Sequence, residues 1–209
     1  MRESGFDEIV SWSFTDPGEI ERLRLAAPDP RATAVAINNP LSEDQSVMRT
    51  TLLGSALDAA QRNLARGADS VALFESGRVY LPQGVPGPGP LGGTFPGHRS
   101  APVTEPQMLT ALSVGASGPD SWRDKPAPAD FFTLKGVLEK LAAGLGVELS
   151  VRPATQPFLH PGRSGEVLVA GKQIGWIGQI HPSIASLWDL GDALAFEIGL
   201  ADLLEASNV

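Results

Sequence analysis

The stretch Ser42 to Tyr80, SEDQSVMRTTLLGSALDAAQRNLARGADSVALFESGRVY, decides the fold. Leu53, Ala56, Leu57, Ala60 and Leu64 recur at helical spacing and predict a helix from about Leu52 to Arg66 with one apolar face. Gly67 stands where a left-handed C-cap residue is wanted, just after the cation Arg66. The period then changes to two. Val71, Leu73 and Glu75 alternate with Ala72 and Phe74, the pattern of a strand packed on both faces. A helix delivered straight into a buried strand builds a core, and Arg49, Glu75 and Arg78 are the residues on this unit that could carry chemistry.

Upstream, Gly5 to Phe14 (GFDEIVSWSF) alternates Ile9, Ser11 and Ser13 with Val10, Trp12 and Phe14, and reads as a half-buried strand with its aromatics on one face. Met1 to Ser4 read as the edge of a domain rather than a natural start. Asp16-Pro17 opens a short helix to about Leu23, and Thr33 to Ile37 is a second short strand halted by Asn38-Asn39-Pro40. Ser42 with Gln45 fits a capping box. Downstream, residues 82 to 106 hold seven prolines and six glycines, too little apolar surface to offset ordering entropy, and read as a mobile loop.

Met108 to Val114 is a strand. Asp130 caps a helix with Phe131, Leu134, Leu138, Leu141 and Leu145 on one face, closed by Gly146. Strands follow at Glu148 to Arg152, Glu166 to Val169 and Gln173 to Ile180, the last two joined by a tight turn at Ala170-Gly171-Lys172. His181-Pro182 opens another helix, Ala193 to Ile198 is the last strand, and Ala201 to Glu205 is a helical turn. Hairpin-linked strands with helices in no strict alternation make the chain α+β: one domain over 1–209, a mostly antiparallel sheet flanked by helices.

The chemistry is narrowed by what the chain lacks. There is no cysteine, hence no disulfide or thiolate metal site. No apolar run is long enough to span a membrane and the N-terminus has no signal-peptide core, so a cytoplasmic location is expected. The net charge of −8 disfavours a stand-alone nucleic-acid binder, and Arg49, Arg62, Arg66 and Arg78 read as a solvated or partner-facing set. His98, His160 and His181 lack the neighbours of a metal site. Gly171, Gly175 and Gly178 have the wrong spacing and context for a dinucleotide loop; glycines within a strand admit a close neighbour or a bulge. In HPGRSGE, His160 to Glu166, Arg163 either clamps a carboxylate or phosphate or sits in a surface turn ahead of a strand.

Six strings in order, GFDEIVSWSF, NPLSEDQSVMRTTLL, LFESGRVY, FFTLKGVLEKLAAGLG, HPGRSGEV and GKQIGWIGQIHP, resemble the catalytic-like module of the bacterial phenylalanyl-tRNA synthetase beta subunit. The resemblance implies a fold like the class II aminoacyl-tRNA synthetase catalytic core. It also implies a cytoplasmic alpha2beta2 phenylalanine–tRNA ligase that uses ATP and magnesium on its alpha subunit, with no cofactor in these residues. Class II sites hold ATP with two arginines. By the resemblance these positions are Leu81, after GRVY, and Asp202, in ALAFEIGLADLL. Losing each clamp costs on the order of 10²-fold, so no catalytic residue is expected.

The chain is then expected to be a non-catalytic structural module packing on the alpha subunit, with tRNA reached through the holoenzyme. Leu53, Leu57, Ala60, Arg62, Leu64 and Arg66 are the candidate interface. The alternative is a regulatory amino-acid-binding module, in which Glu75, His160 and Arg163 form a vestigial ligand site.

Overall fold

The structure, a computed structural model, describes residues 1–83, 103–116 and 127–207. In chain order its elements are β1 (Asp7–Glu8), β2 (Phe14–Thr15), α1 (Gly18–Arg22), β3 (Val47–Met48), α2 (Leu53–Ala65), β4 (Val71–Arg78), β5 (Leu81–Pro82), β6 (Val103–Thr104) and β7 (Gln107–Val114). They continue with α3 (Phe131–Gly144), β8 (Leu149–Pro153), β9 (Leu159–Val169), β10 (Lys172–Ile180), α4 (Pro182–Ala185), β11 (Ala193–Gly199) and α5 (Leu200–Glu205).

Seven strands form one mixed sheet in the order β1-β4-β7-β11-β10-β9-β8. Only β1 and β4 run parallel; every other pair is antiparallel. Helices flank both faces. The apolar stripe of α2 lies in one core cluster with Leu73, Leu112, Trp176 and Trp188. On the other face Leu134, Leu138 and Ala142 of α3 share a cluster with Ile177, Phe196 and Leu203. Each fully buried leucine of these stripes contributes roughly 2–3 kcal/mol of apolar transfer, so the sheet is held from both sides.

Local chemistry sets the boundaries. Gly67 closes α2 at φ 95° with its N–H on the Leu64 carbonyl, 2.9 Å. Asp130 accepts from Thr133 N at 2.7 Å and completes a capping box for α3. Ala170 and Gly171 both have positive φ, 49° and 81°, which gives the β9–β10 hairpin the twist its strands need. β5 pairs with β6, so the chain leaves and re-enters at neighbouring positions beside β4 and β7. The loop expected between them lies outside the described residues from 84 to 102, and His98 with it.

Four expectations are corrected. Gly5–Phe14 is not one strand: Asp7–Glu8 joins the large sheet, Phe14–Thr15 pairs with Val47–Met48, and Trp12 and Phe14 face outward. Thr33–Ile37 supplies only a single bridge, Ala36 to Val47. The turn Glu43–Gln45 forms, but the Ser42 side chain makes no capping bond. HPGRSGE lies within β9 rather than in a turn ahead of it. Pro161 is tolerated there because β8 pairs only with residues 165 to 169, leaving the outer edge beside Pro161 without a ladder bond to make.

Candidate functional site

Strand register, not sequence proximity, assembles the polar groups. Glu75 of β4 faces Thr110 of β7, Thr110 faces Glu197 of β11, and Glu197 faces Trp176 of β10. Directly paired residues point to one face, so two carboxylates and a threonine form a row beneath α2, among otherwise apolar neighbours. Both carboxylates are almost completely buried.

The chain closes this row itself. The segment entering α2 crosses over β4, and Arg49 drops its guanidinium onto Glu75, Nη1 to Oε1 at 2.8 Å. The same nitrogen donates to Ser11 Oγ at 2.7 Å, and Ser11 Oγ donates to the second Glu75 oxygen at 2.5 Å. Arg49 Nε donates to the Arg78 carbonyl at 2.9 Å. Space for the guanidinium exists because residue 77 is glycine: a Cβ there would lie 2.4 Å from Arg49 Nη2. Two residues on, Thr51 Oγ1 and the Leu52 amide donate to Glu197, the latter at 2.7 Å. Burial raises the Glu197 carboxyl above its ordinary value; Arg31, Leu52, Thr51 and Arg49 oppose the shift. The face that could receive a ligand is filled from within.

An open cleft of about 340 Å³ lies beside this plug, with Trp12, Phe14, Asp16, Asp44, Asp58 and Arg62 among its walls. Near its edge Glu19 is buried against α2, held at Oε2 by Thr15 Oγ1 at 2.6 Å. Gly54 makes room for it, since a Cβ there would fall 2.0 Å from Glu19 Cδ. Burial, reinforced by Asp58, pushes the Glu19 carboxyl up to about 7 against the pull of Thr15 and Arg22. The folded chain thus holds a proton that the unfolded chain has released above its ordinary carboxylate value. Stability conferred by the neutral form is full below about pH 4.5 and is lost as pH rises toward about 7. Glu19→Gln keeps an acceptor for Thr15 without the charge. Its stability advantage over wild type should grow by about 2 kcal/mol between about pH 5 and about pH 8, read from urea midpoints; parallel pH profiles would refute the assignment.

The residues singled out from sequence fall as follows. Leu53, Leu57 and Ala60 are completely buried under the sheet, so the apolar stripe of α2 serves the chain's own core; Leu64 is half-buried, and Arg62 and Arg66 are exposed. Glu75 and Arg163 are not brought together. Four strand spacings, roughly 19 Å, separate β4 from β9. Arg163 also bonds Gln179, three residues from Trp176 and hence on the opposite face from Glu75. His160 Nδ1 accepts from Gly162 N at 3.1 Å, a local turn bond. Leu81 pairs with Thr104, and Asp202 is bound by Lys172 Nζ at 2.5 Å. Among the described residues no group of three or more His, Asp or Glu could hold a metal. ATP with magnesium does not fit this donor set: one expected cation is apolar, the other is an anion already paired, and the sheet face is filled. Sequence reasoning singled out Arg49 and Glu75 but missed their partner Ser11, and it missed Glu19 and Glu197; the signal available was a lone acid in an apolar strand or helix.

Residues 1–200 match the family model described as phenylalanyl tRNA synthetase beta chain CLM domain, and the chain belongs to that family. It is 38% identical over 206 residues to the phenylalanine–tRNA ligase beta subunit of Syntrophus aciditrophicus, covering 97% of this chain and 24% of that one. It is 36% identical over 208 residues to the beta subunit of Symbiobacterium thermophilum (99% and 22%) and 33% over 210 residues to that of Geobacillus kaustophilus (100% and 24%). The chain spans about a quarter of the length of these curated relatives.

Proposed function

We propose that this chain is a non-catalytic structural module of a cytoplasmic phenylalanine–tRNA ligase, built on a class II synthetase-like core. It supports assembly with an alpha subunit that carries the ATP- and magnesium-dependent chemistry, and it meets tRNA only through the holoenzyme. The observation carrying this reading is the occupied sheet face: Arg49, Ser11, Thr51 and the Leu52 amide take up the oxygens of Glu75 and Glu197. A triphosphate would meet the buried carboxylates of Glu75 and Glu197 there, and the Arg49 guanidinium is already taken by Glu75. Among the described residues no helix is long and apolar enough to cross a membrane. The relatives' names, each a beta subunit of the ligase, supply the enzyme.

The expected result is no phenylalanine-stimulated ATP–pyrophosphate exchange by this chain alone, and exchange when the alpha subunit is supplied within the holoenzyme. Turnover by the isolated chain would overturn the reading. The amino-acid-sensing alternative draws no support from the structure, which leaves Glu75 and Arg163 on opposite faces of the sheet.

A further inference from the structure

Arg22 stands between two possible seats. On α1 it follows Glu19 by three residues, the spacing at which helical side chains are neighbours. It is engaged elsewhere all the same. Nη2 pairs with Asp16 Oδ2 at 3.2 Å, and the guanidinium carbon lies 4.9 Å from the centre of the Trp188 ring. Its Nε is buried and, among the described residues, has no hydrogen-bond partner. A buried donor without an acceptor is costly. An acceptor of the right charge stands three residues away whenever Glu19 is ionised.

The Glu19 carboxyl itself has little room to move. It is wedged against Gly54 of α2, and Thr15 holds one of its oxygens. Burial, Asp58 and Asp16 all discourage its ionisation, and Arg22 is the cation that opposes them. Asp58 stands one turn beyond Gly54 on α2 and accepts from Trp188 Nε1 at 2.6 Å. The turn Ser186–Trp188 thus brings an uncharged indole to this cluster, and the next residue, Asp189, is bonded to Gln61. Asp16, Arg22, Asp44 and Asp58 all line the open cleft.

We propose that Glu19 and Arg22 form a proton-operated switch in the wall of this cleft. With Glu19 neutral, Arg22 keeps the seat seen in the structure, over Trp188 and paired with Asp16. When Glu19 gives its proton to solvent, the guanidinium swings to the Glu19 carboxylate, with Nε as its first donor. Asp16 is then left unpaired beside Asp44 and Asp58, and the Trp188 ring loses its cation. The cleft wall exchanges an ion pair for a free carboxylate. Because the Glu19 carboxyl is pushed up to about 7, the exchange falls near neutral pH.

The test follows the Trp188 indole N–H and the Arg22 Nε–H of the 15N-labelled chain by NMR from about pH 5 to about pH 9. Both signals should shift together with a midpoint near pH 7, the Arg22 Nε–H moving downfield as it gains a carboxylate acceptor. Glu19→Gln should hold both at their low-pH positions throughout. Arg22→Met should abolish most of the Trp188 shift, since no cation is left to leave the ring. Circular dichroism checks that each variant is folded. A titration that survives in Glu19→Gln would belong to another group, such as His181 at the start of α4, and would overturn the switch. A full Trp188 shift in Arg22→Met would show that Glu19 ionises with Arg22 at rest, and would overturn the swing. The Arg22 Nε–H signal needs no variant: if it does not move downfield in the wild-type chain as pH rises through 7, the proposal is refuted.

Discussion

Arg49→Met should cost the chain about 3–5 kcal/mol, the usual loss when one partner of a buried ion pair is removed. The Arg49 and Glu75 side chains are 4% and 2% exposed. Without the guanidinium, Glu75 retains only Ser11 in a site walled by α2 and the sheet, and the Arg78 carbonyl loses its donor. Methionine roughly matches the stem of arginine, so the loss comes from charge and hydrogen bonding rather than from an empty volume. Urea unfolding of Arg49→Met, Glu75→Leu and the double variant measures it. Each single variant should be strongly destabilised, and the double variant should recover most of the loss, because replacing both members with apolar side chains removes the stranded charge. If Arg49→Met cost less than about 1 kcal/mol, the pair would be hydrated and the sheet face would not be closed in the way described.

The second large effect is expected at Gly175. A Cβ there would lie 2.1 Å from the Glu197 carbonyl oxygen and 2.7 Å from the Ile198 Cα, both backbone atoms of the neighbouring strand. A flexible side chain could give way, but a strand in the interior of a seven-stranded sheet cannot. Gly175→Ala must force β10 and β11 apart, next to the irregularity between Gln173 and Gly175 and beside the strand that carries Glu197. A loss of about 3 kcal/mol, at the upper end for overpacking, is expected. Urea midpoints check it against Gly136→Ala in α3, where nothing lies within 4 Å of the added carbon and a gain of about 0.5–1 kcal/mol is expected from helix propensity. Equal midpoints for the two variants would show that the sheet relaxes freely at this position.

Those two residues also mark what could be read from sequence. Short-range periodicity gave α2, β4, α3 and the hairpin at Ala170-Gly171, because each follows from spacing, caps and turn residues within a few positions. The close approach at Gly175 was legible in kind, since a glycine within a strand admits a close neighbour, but its neighbour is a strand some twenty residues later. Gly5–Phe14 shows the limit more sharply. Alternation revealed the two sides but not which of them faces in, and hydrophobicity pointed the wrong way. Ser11 turns inward because Arg49 and Glu75 need a partner, and the Ser13 hydroxyl accepts from Tyr80; both demands arise from residues far along the chain. The apolar stripe of α2 posed the converse problem: its spacing is the same whether a sheet or another subunit covers it. Glu75 and Arg163 could be placed on separate faces only once strand order and register were in hand.

The segment from Ile9 to Phe14 also bears on insertions and deletions. Between Ile9 and Phe14 odd positions are committed to the chain's own sheet and even positions to the surface. The stretch is bracketed by the pairing of Glu8 with Phe74 and that of Phe14 with Met48, with Ser11 bonded to Glu75 between them. Removing a residue there should either draw Ser11 off Glu75 or break one of the two pairings. Length variation in this stretch is therefore constrained by the two sheets it joins.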